Sequence, residues 1–195
     1  MRQHQTRRRF LLATGTLAAA GLSVDAIGQE LAPTPTCHDG DEPTVRQTEG
    51  PFFKPRSPLR ADLRDAGSRG GGIELTGLVL TRACRPLADA LVDLWHADER
   101  GEYDNRGVRY RGHQRTDASG RYRFRTIRPA VYTGRTRHYH VKVQAAGSRL
   151  LATQLYFPDE PANQRDSLFR RELLMKVASA GDGAAARFDF VLDIR

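Results

Sequence analysis

The residues best suited to chemistry in this chain lie in two short stretches, residues 101–103 and 132–140. His138 and His140 are two residues apart in a segment that reads as a β-strand. Because side chains alternate along a strand, both imidazoles lie on one face. Tyrosine phenolate is a hard anionic donor, so two histidines with tyrosines nearby indicate a mononuclear site for a hard, oxidised metal ion.

Other readings of the same residues stay open at this level. A His-x-His pair on a strand more often belongs to an ordinary polar sheet face than to a metal site. Tyr103 could be a turn residue that packs on Trp95, and Tyr110 competes with it as a ligand. We expect Trp95 in the core, and we expect His96 and His113 at the surface or behind the ligands.

Short strands separated by turns must position these residues. Apolar and alternating runs predict strands at residues 73–81, 90–95, 121–127, 138–144, 150–157 and 187–194. Residues 163–172 allow one short helix. This pattern predicts an all-β fold, an antiparallel β-sandwich of the prealbumin or immunoglobulin type with long loops. No glycine-rich phosphate loop opens a helix, so we expect no nucleotide cofactor.

The chain divides into three parts. Residues 1–30 read as a twin-arginine signal, because Thr6-Arg7-Arg8-Arg9-Phe10 precedes an apolar run too short to span a bilayer. The expected partner is therefore the twin-arginine translocase, the destination is periplasmic or secreted, and no stable membrane anchor is expected. That route carries folded proteins, which suits a metalloprotein loaded before export. Residues 31–72 are predicted to be an extended arm and loop, and residues 73–195 the β-sandwich catalytic domain.

Charge and cysteine content narrow the possibilities further. The net charge is +8, yet Arg121, Arg123 and Arg125 alternate with aromatic residues, which is typical of a solvated strand face. Nucleic acid is therefore not an expected partner. Cys37 and Cys84 suit neither a zinc site nor a redox motif. In an exported protein they could form a disulfide or remain unrelated thiols.

Five motifs occur in an order that resembles the intradiol ring-cleavage dioxygenases, non-haem iron(III) enzymes that split catechols between the two hydroxyls. The resemblance covers roughly residues 46–194. The motifs are Thr48-Glu49-Gly50-Pro51-Phe52-Phe53; residues 90–98 with Gly101-Glu102-Tyr103; residues 116–117 and 120–129 with Tyr132; Arg135-x-x-His138-x-His140; and Thr153-Gln154-Leu155-Tyr156-Phe157.

The resemblance implies a set of metal ligands. Tyr103 and His140 would be equatorial ligands of one Fe(III) ion, and Tyr132 and His138 would be axial ligands. A water or hydroxide would complete the site. Tyr103 is favoured over Tyr110 because it follows a glycine at the spacing of the family.

The resemblance also implies the reaction. The substrates would be a small aromatic diol and O2, and the product a cis,cis-muconate-type diacid. Arg135 and Gln154 would line the substrate pocket, and Tyr132, released from the metal, would accept a proton. Thr136 and Arg137 stand where relatives often carry Pro and Ala, so the identity of the substrate stays open. The oligomeric state is open as well. The alternatives are a non-catalytic transthyretin-like binding module, which lacks this ligand set, and a copper or zinc protein.

Overall fold

The computed structural model describes Cys37 and residues 42–194, so the predicted export signal lies outside the described residues. Nine strands and two short 3-10 turns occur within this part of the chain. The strands are β1 Gly72–Thr81, β2 Leu91–Trp95, β3 Arg111–Arg115, β4 Arg121–Ile127, β5 His138–Gln144, β6 Leu151–Tyr156, β7 Lys176–Ala180, β8 Gly183–Arg187 and β9 Phe190–Leu192. The 3-10 turns are Pro161–Gln164 and Arg171–Leu173. No helix in the described part is long and apolar enough to cross a membrane.

The strands form two sheets that pack face to face. The first sheet has the order β4-β1-β8-β7, with β9 also beside β1, and the second has the order β3-β2-β5-β6. The second sheet is antiparallel throughout. In the first sheet β1 pairs antiparallel with β4 but parallel with β8 and β9. The predicted all-β sandwich is confirmed, and the parallel pairs are a feature that the sequence pattern did not predict.

Alternation along the strands builds the core between the sheets. In β4 the aromatic residues Tyr122 and Phe124 are buried while the arginines between them are exposed. Tyr139 of β5 also faces inward, and its hydroxyl donates to the carbonyl of Ile127 at 2.8 Å. Because Tyr139 lies between His138 and His140 in sequence, its burial in the core turns both histidines to the opposite face, as predicted.

The last predicted strand, residues 187–194, is broken in the structure. The backbone N–H of Leu78 donates to Oδ1 of Asp189 at 2.8 Å. A side-chain oxygen thus takes the place of the main-chain carbonyl that would continue the hydrogen-bond ladder. A β-carbon at Gly77 would collide with the carbonyl of Phe188, and only glycine permits this approach. The ladder of β1 therefore passes from β8 to β9 across a two-residue gap.

The predicted short helix at residues 163–172 is also different. The two 3-10 turns flank an irregular stretch in which the N–H of Leu168 donates to the Asp166 side chain at 2.9 Å. Such a local side-chain bond competes with helical hydrogen bonding.

The sequence pattern did not predict three of the strands, β3, β7 and β8. Two of them are rich in Ala, Gly and Ser, which have little strand preference, and β3 is almost entirely polar.

The arm of residues 42–53 first bonds to one strand of each sheet, β9 and then β6, and its last residues, Phe52 and Phe53, cover the outer face of the second sheet. The N–H of Thr44 donates to the carbonyl of Val191 at 2.9 Å, and that of Gln47 donates to the carbonyl of Ala152 at 2.8 Å. Upstream, Cys37 forms a disulfide with Cys84, with 5.7 Å between the α-carbons. The arm is therefore docked on the sandwich, and the two cysteines are paired.

Candidate metal centre

Strand register gathers one set of polar residues on the outer face of the second sheet. His140 of β5 is directly opposite Trp95 of β2 and Gln154 of β6, and His138 is opposite Tyr156. Residues directly opposite each other on paired strands share a face of the sheet. The five side chains therefore lie together on the face turned away from the core and toward the arm.

Three potential ligand atoms converge above this face. The Tyr103 hydroxyl lies 3.3 Å from Nε2 of His138 and 3.1 Å from Nε2 of His140, and the two Nε2 atoms are 3.1 Å apart. Atoms that bind one ion at about 2 Å from its centre lie about 3 Å from each other. The spacing therefore suits ligands of a single metal ion.

The hydrogen bonding of His138 leaves a nitrogen lone pair directed at this point, and both rings are neutral. Nδ1 of His138 lies 2.6 Å from the carbonyl of Thr136, which requires the proton on Nδ1 and leaves Nε2 as a lone pair. Burial lowers the pKa of His138 to about 4, and burial followed by repulsion from His138 lowers that of His140. Both rings are therefore neutral at pH 7, the form that binds metals.

The Tyr103 phenol, like the two imidazoles, has chemistry that fits a metal ion. Burial raises the pKa of Tyr103 above its usual range, so these residues by themselves keep it protonated. A multivalent cation at the site would favour the phenolate. No group of three or more His, Cys, Asp or Glu side chains in the described part could hold a metal ion. Two neutral imidazoles with tyrosine oxygen suit a hard, oxidised ion.

A close backbone approach joins the loops that carry the two predicted tyrosine ligands. Gly101 has a φ of +83°, and a β-carbon there would collide with the carbonyl of Val131. The carbonyl of Asp98 accepts the N–H of Ala130 at 2.9 Å, which ties the same two loops together. The glycine is thus required both for the turn and for the contact between the loops.

Tyr132 reaches the site through its ring. The ring centroids of Tyr132 and Tyr103 are 5.7 Å apart, with the planes nearly perpendicular. Phe52 of the arm stacks on Tyr103 at 4.3 Å and meets Tyr132 edge-on at 5.4 Å. The structure therefore brings Tyr103, His138 and His140 together by their polar atoms, and places Tyr132 beside them.

Tyr110 and His96 belong to a different part of the molecule. The Tyr110 hydroxyl is bonded to Glu99 at 3.2 Å and to Arg109 at 3.1 Å, and its ring stacks on His96. His96 is 1% exposed and its Nε2 lies 2.6 Å from the hydroxyl of Thr126. Of the two positions expected for His96, the surface one is excluded, because both ring nitrogens are satisfied in the interior.

Trp95 is buried, as expected of a core residue, and it lies on the outer face of the second sheet beneath the arm. Its ring stacks on His140 with centroids 5.1 Å apart and an angle of 7°, and it also contacts Phe53 of the arm. His113 is partly buried on the same sheet, with Nδ1 2.8 Å from the carbonyl of Ser57. The arm buries this face of the second sheet, so the alternation of side chains along the strands could not by itself predict that the face is buried.

The two predicted pocket residues are joined to each other. Arg135 donates from Nη2 to Oε1 of Gln154 at 2.5 Å, and Nε2 of Gln154 donates to the carbonyl of Thr48 at 3.1 Å. Sequence reasoning missed two further members of this group. Tyr156 donates to Oε1 of Gln154 at 3.1 Å, and Asp166 accepts from Nε of Arg135 at 2.8 Å. Period two along β6 could have revealed Tyr156.

Arg111 is a third residue that sequence reasoning missed. It is 3% exposed, and it donates to the carbonyl of Phe52 at 2.7 Å and to that of Asp104 at 3.1 Å. One guanidinium therefore clamps the arm to the loop that carries Tyr103. No local sequence signal separates Arg111 from the exposed arginines elsewhere in the chain.

Comparison with known proteins gives an independent view. A family model described as "Dioxygenase" matches residues 48–194. The chain is 32% identical over 144 residues to catechol 1,2-dioxygenase 2 of Acinetobacter lwoffii, covering 60% of this chain and 52% of that protein. It is 31% identical over 189 residues to hydroxyquinol 1,2-dioxygenase of Rhodococcus opacus, covering 84% of this chain and 60% of that protein. The chain thus spans little more than half the length of these relatives.

Solved structures show the same similarity. The dioxygenase domain of a dioxygenase and carbohydrate-binding protein fusion from the cellulolytic bacterium Streptomyces sp. SirexAA-E is 52% identical, with a TM-score of 0.77. The match covers 79% of this chain and 100% of that one. Catechol 1,2-dioxygenase of Pseudomonas arvilla C-1 is 29% identical, with a TM-score of 0.71, and the match covers 77% of this chain and 62% of that one.

Proposed function

The chain belongs to the intradiol ring-cleavage dioxygenase family, and we propose that it is an Fe(III)-dependent enzyme of this reaction class. It would insert both atoms of O2 into a catechol-type ring and release a cis,cis-muconate-type diacid. The observation that carries the proposal is the convergence of the Tyr103 hydroxyl with Nε2 of His138 and of His140, all within 3.3 Å of one another.

The proposed ligands are Tyr103, Tyr132, His138 and His140. When bound, Fe(III) would supply the Lewis acidity and redox chemistry that allow a catecholate to react with O2. The protein holds both imidazoles neutral and aimed at one point. Stacking of Trp95 on His140 fixes the plane of that ring. These features would reduce the cost of assembling the ligands around the ion.

Tyr132 is the proposed acceptor for a substrate proton. A diol that binds as a dianion must lose two protons, and a tyrosinate, with a free pKa of about 10, can take one of them. Tyr132 lies on a loop between the exposed residues Val131 and Thr133. The Tyr132 ring, which meets Phe52 only edge-on, would be freer to turn outward than the Tyr103 ring, on which Phe52 stacks.

Arg135 is the proposed source of positive charge on the substrate side. Its Nε and Nη2 atoms are engaged by Asp166 and Gln154. The guanidinium is thereby fixed beside the ligands, where a developing negative charge on the ring would be stabilised. Gln154 would act by holding this arginine in place as much as by lining the pocket.

The decisive experiment combines colour, metal content and oxygen uptake. Two tyrosinates on Fe(III) absorb visible light by charge transfer, so the purified protein is expected to be red to burgundy with about one iron per chain. Oxygen uptake is measured with catechol, hydroxyquinol, protocatechuate and chlorocatechol, the rings named for its relatives. A colourless, iron-free protein from iron-replete cells would overturn the proposal.

Export by the twin-arginine route is a separate part of the proposal. Paired Cys37 and Cys84 support it, because disulfides persist in oxidising compartments outside the cytoplasm. Replacing Arg7 and Arg8 together with lysine is expected to trap the protein in the cytoplasmic fraction. Unchanged export of that double variant would contradict the proposed route.

A further inference from the structure

We propose that Asp166 is a positioning residue that fixes the guanidinium of Arg135 for the reaction. The kinetic part of this inference rests on the proposed function. Asp166 lies just after the 3-10 turn Pro161–Gln164, outside every motif noted in the sequence. It is 31 residues from Arg135 in the chain, and only the fold brings the two together.

The contact between the two side chains is close and shielded from water. Nε of Arg135 donates to Oδ2 of Asp166 at 2.8 Å and to Oδ1 at 3.1 Å. The Asp166 side chain is 1% exposed and that of Arg135 17%. An ion pair with so little solvent holds its geometry far better than a surface pair, which water and salt screen.

The carboxylate is itself held from two other directions. Oδ2 accepts the backbone N–H of Thr136 at 2.9 Å, and Oδ1 accepts that of Leu168 at 2.9 Å. Burial raises the pKa of the Asp166 carboxyl, but these backbone bonds and Arg135 outweigh it, so the net direction is downward. Each oxygen of the anion is therefore pinned to the backbone as well as to the guanidinium.

The same carboxylate also orders the peptide that orients a predicted ligand. Thr136 gives its N–H to Asp166, while its carbonyl accepts the Nδ1 proton of His138 at 2.6 Å. The hydroxyl of Thr136 donates to Oδ1 of Asn163 at 2.7 Å, from the same segment as Asp166. Asp166 therefore aligns Arg135 directly and supports His138 through one shared peptide.

Arginine has many rotamers, so fixing it in advance matters for catalysis. With Nε held by Asp166 and Nη2 by Gln154, the plane of the guanidinium is set by two contacts at different positions. Without Asp166 only the Nη2 contacts would remain. Arg135 would then keep its charge but lose its fixed direction.

Glu160 is a matched control from the same segment. It is a carboxylate with 10% side-chain exposure that pairs with two arginines, Arg128 at 2.6 Å and Arg137 at 3.0 Å. Glu160→Gln therefore removes a comparable ion pair without touching Arg135. If Asp166 only stabilised the fold, the two neutralising substitutions would have similar consequences.

The kinetic test compares Asp166→Asn, Asp166→Glu and Glu160→Gln with the wild-type full chain. Asp166→Asn is expected to lower kcat about 10- to 100-fold, the range known for residues that orient metal ligands by hydrogen bonds, with iron content unchanged. Asp166→Glu keeps the charge and is expected to recover part of the loss. Glu160→Gln is expected to stay within about two-fold of wild type.

A double-mutant cycle shows whether Asp166 acts through Arg135. In an Arg135→Ala background, Asp166→Asn is expected to change kcat by less than about two-fold, since the group it positions is already absent. An equal loss in both backgrounds would overturn the proposal. So would an Asp166→Asn variant that folds, as judged by circular dichroism, and has wild-type kcat.

A spectroscopic readout separates this inference from the proposed function. In the purified full chain, freed of bound metal by chelation, the proton on Nε of Arg135 is expected to exchange slowly with water. The signal is assigned by its loss in Arg135→Ala. It is expected to remain in Glu160→Gln and to disappear in Asp166→Asn. If it persists in Asp166→Asn, Asp166 does not hold Arg135, whatever the iron content or turnover of the wild type.

Discussion

The outer faces of the two sheets carry similar residues but have different environments. On the first sheet Arg123 pairs with Glu74 at 2.5 Å, with the side chains 53% and 41% exposed. Over the second sheet Arg135, from the loop before β5, pairs with Asp166 at 2.8 Å, with exposures of 17% and 1%. The arm and the 158–170 segment cover the second face and leave the first to solvent. Cover, more than residue type, turns one polar sheet face into a site.

The largest expected effect comes from a ligand residue on the covered face. His140→Ala is expected to abolish iron binding and colour, and to reduce activity by more than the roughly 100-fold typical of outer-shell changes. His113→Ala is the matched control, because His113 lies on the same sheet and its ring is hydrogen-bonded to Ser57, away from the proposed ligands. Iron is measured by elemental analysis of the purified proteins. Full iron in His140→Ala would remove His140 from the ligand set.

The second-largest effect is expected from removing the Cys37–Cys84 disulfide, which links the chain before the arm to the sandwich. Replacing Cys37 and Cys84 together with serine is expected to destabilise the protein by about 2–5 kcal/mol, as for other native disulfides. Urea unfolding of the oxidised wild type and the double variant gives the difference. Single substitutions are less informative because they leave a free thiol. A change in stability below about 1 kcal/mol would show that the arm docks without its covalent link.

A smaller effect is expected from Arg111, whose guanidinium bonds the arm to the loop that carries Tyr103. Arg111→Met keeps the length of the side chain but leaves the carbonyls of Phe52 and Asp104 without their donor. A loss of about 2–3 kcal/mol is expected from hydrogen bonds to a charged group. Urea unfolding measures it, and iron retention on dialysis is expected to fall as well. Unchanged retention would mean that the arm is held by its other contacts.

The smallest effect is expected on the open face. Arg123→Ala removes an exposed ion pair with Glu74, which is expected to change stability by no more than about 1 kcal/mol and to leave iron binding intact. The remaining difference is expected to vanish at high salt. A loss as large as that of Arg111→Met would end the contrast between the two faces.

Much of the fold was predictable because its signals are local. Alternation of buried and exposed residues placed β1 and β4 within one residue of their observed limits. It also placed Tyr139 on the opposite face of β5 from His138 and His140. The break before β9 was not predictable, because it depends on Asp189 meeting Leu78 from a distant strand. The strands β7 and β8 were missed because pairing, not propensity, makes them strands.

The site divides in the same way. Spacing along the strand determined that His138 and His140 share a face, and the family resemblance implied that Tyr103, Tyr132 and Arg135 belong to the same site. The resemblance favoured Tyr103 over Tyr110, and the tertiary structure gives the physical difference. Both lie in one loop, but the Tyr103 hydroxyl reaches His140 and the Tyr110 hydroxyl reaches Glu99.

Asp166, Arg111 and the position of Trp95 under the arm were likewise decided by long-range contacts. The physical reason is range. Side-chain alternation follows from the geometry of each residue and its neighbours, so the sequence alone determines it. Which polar side chains are buried depends on how distant segments close over a sheet, and that is decided only when the whole chain packs.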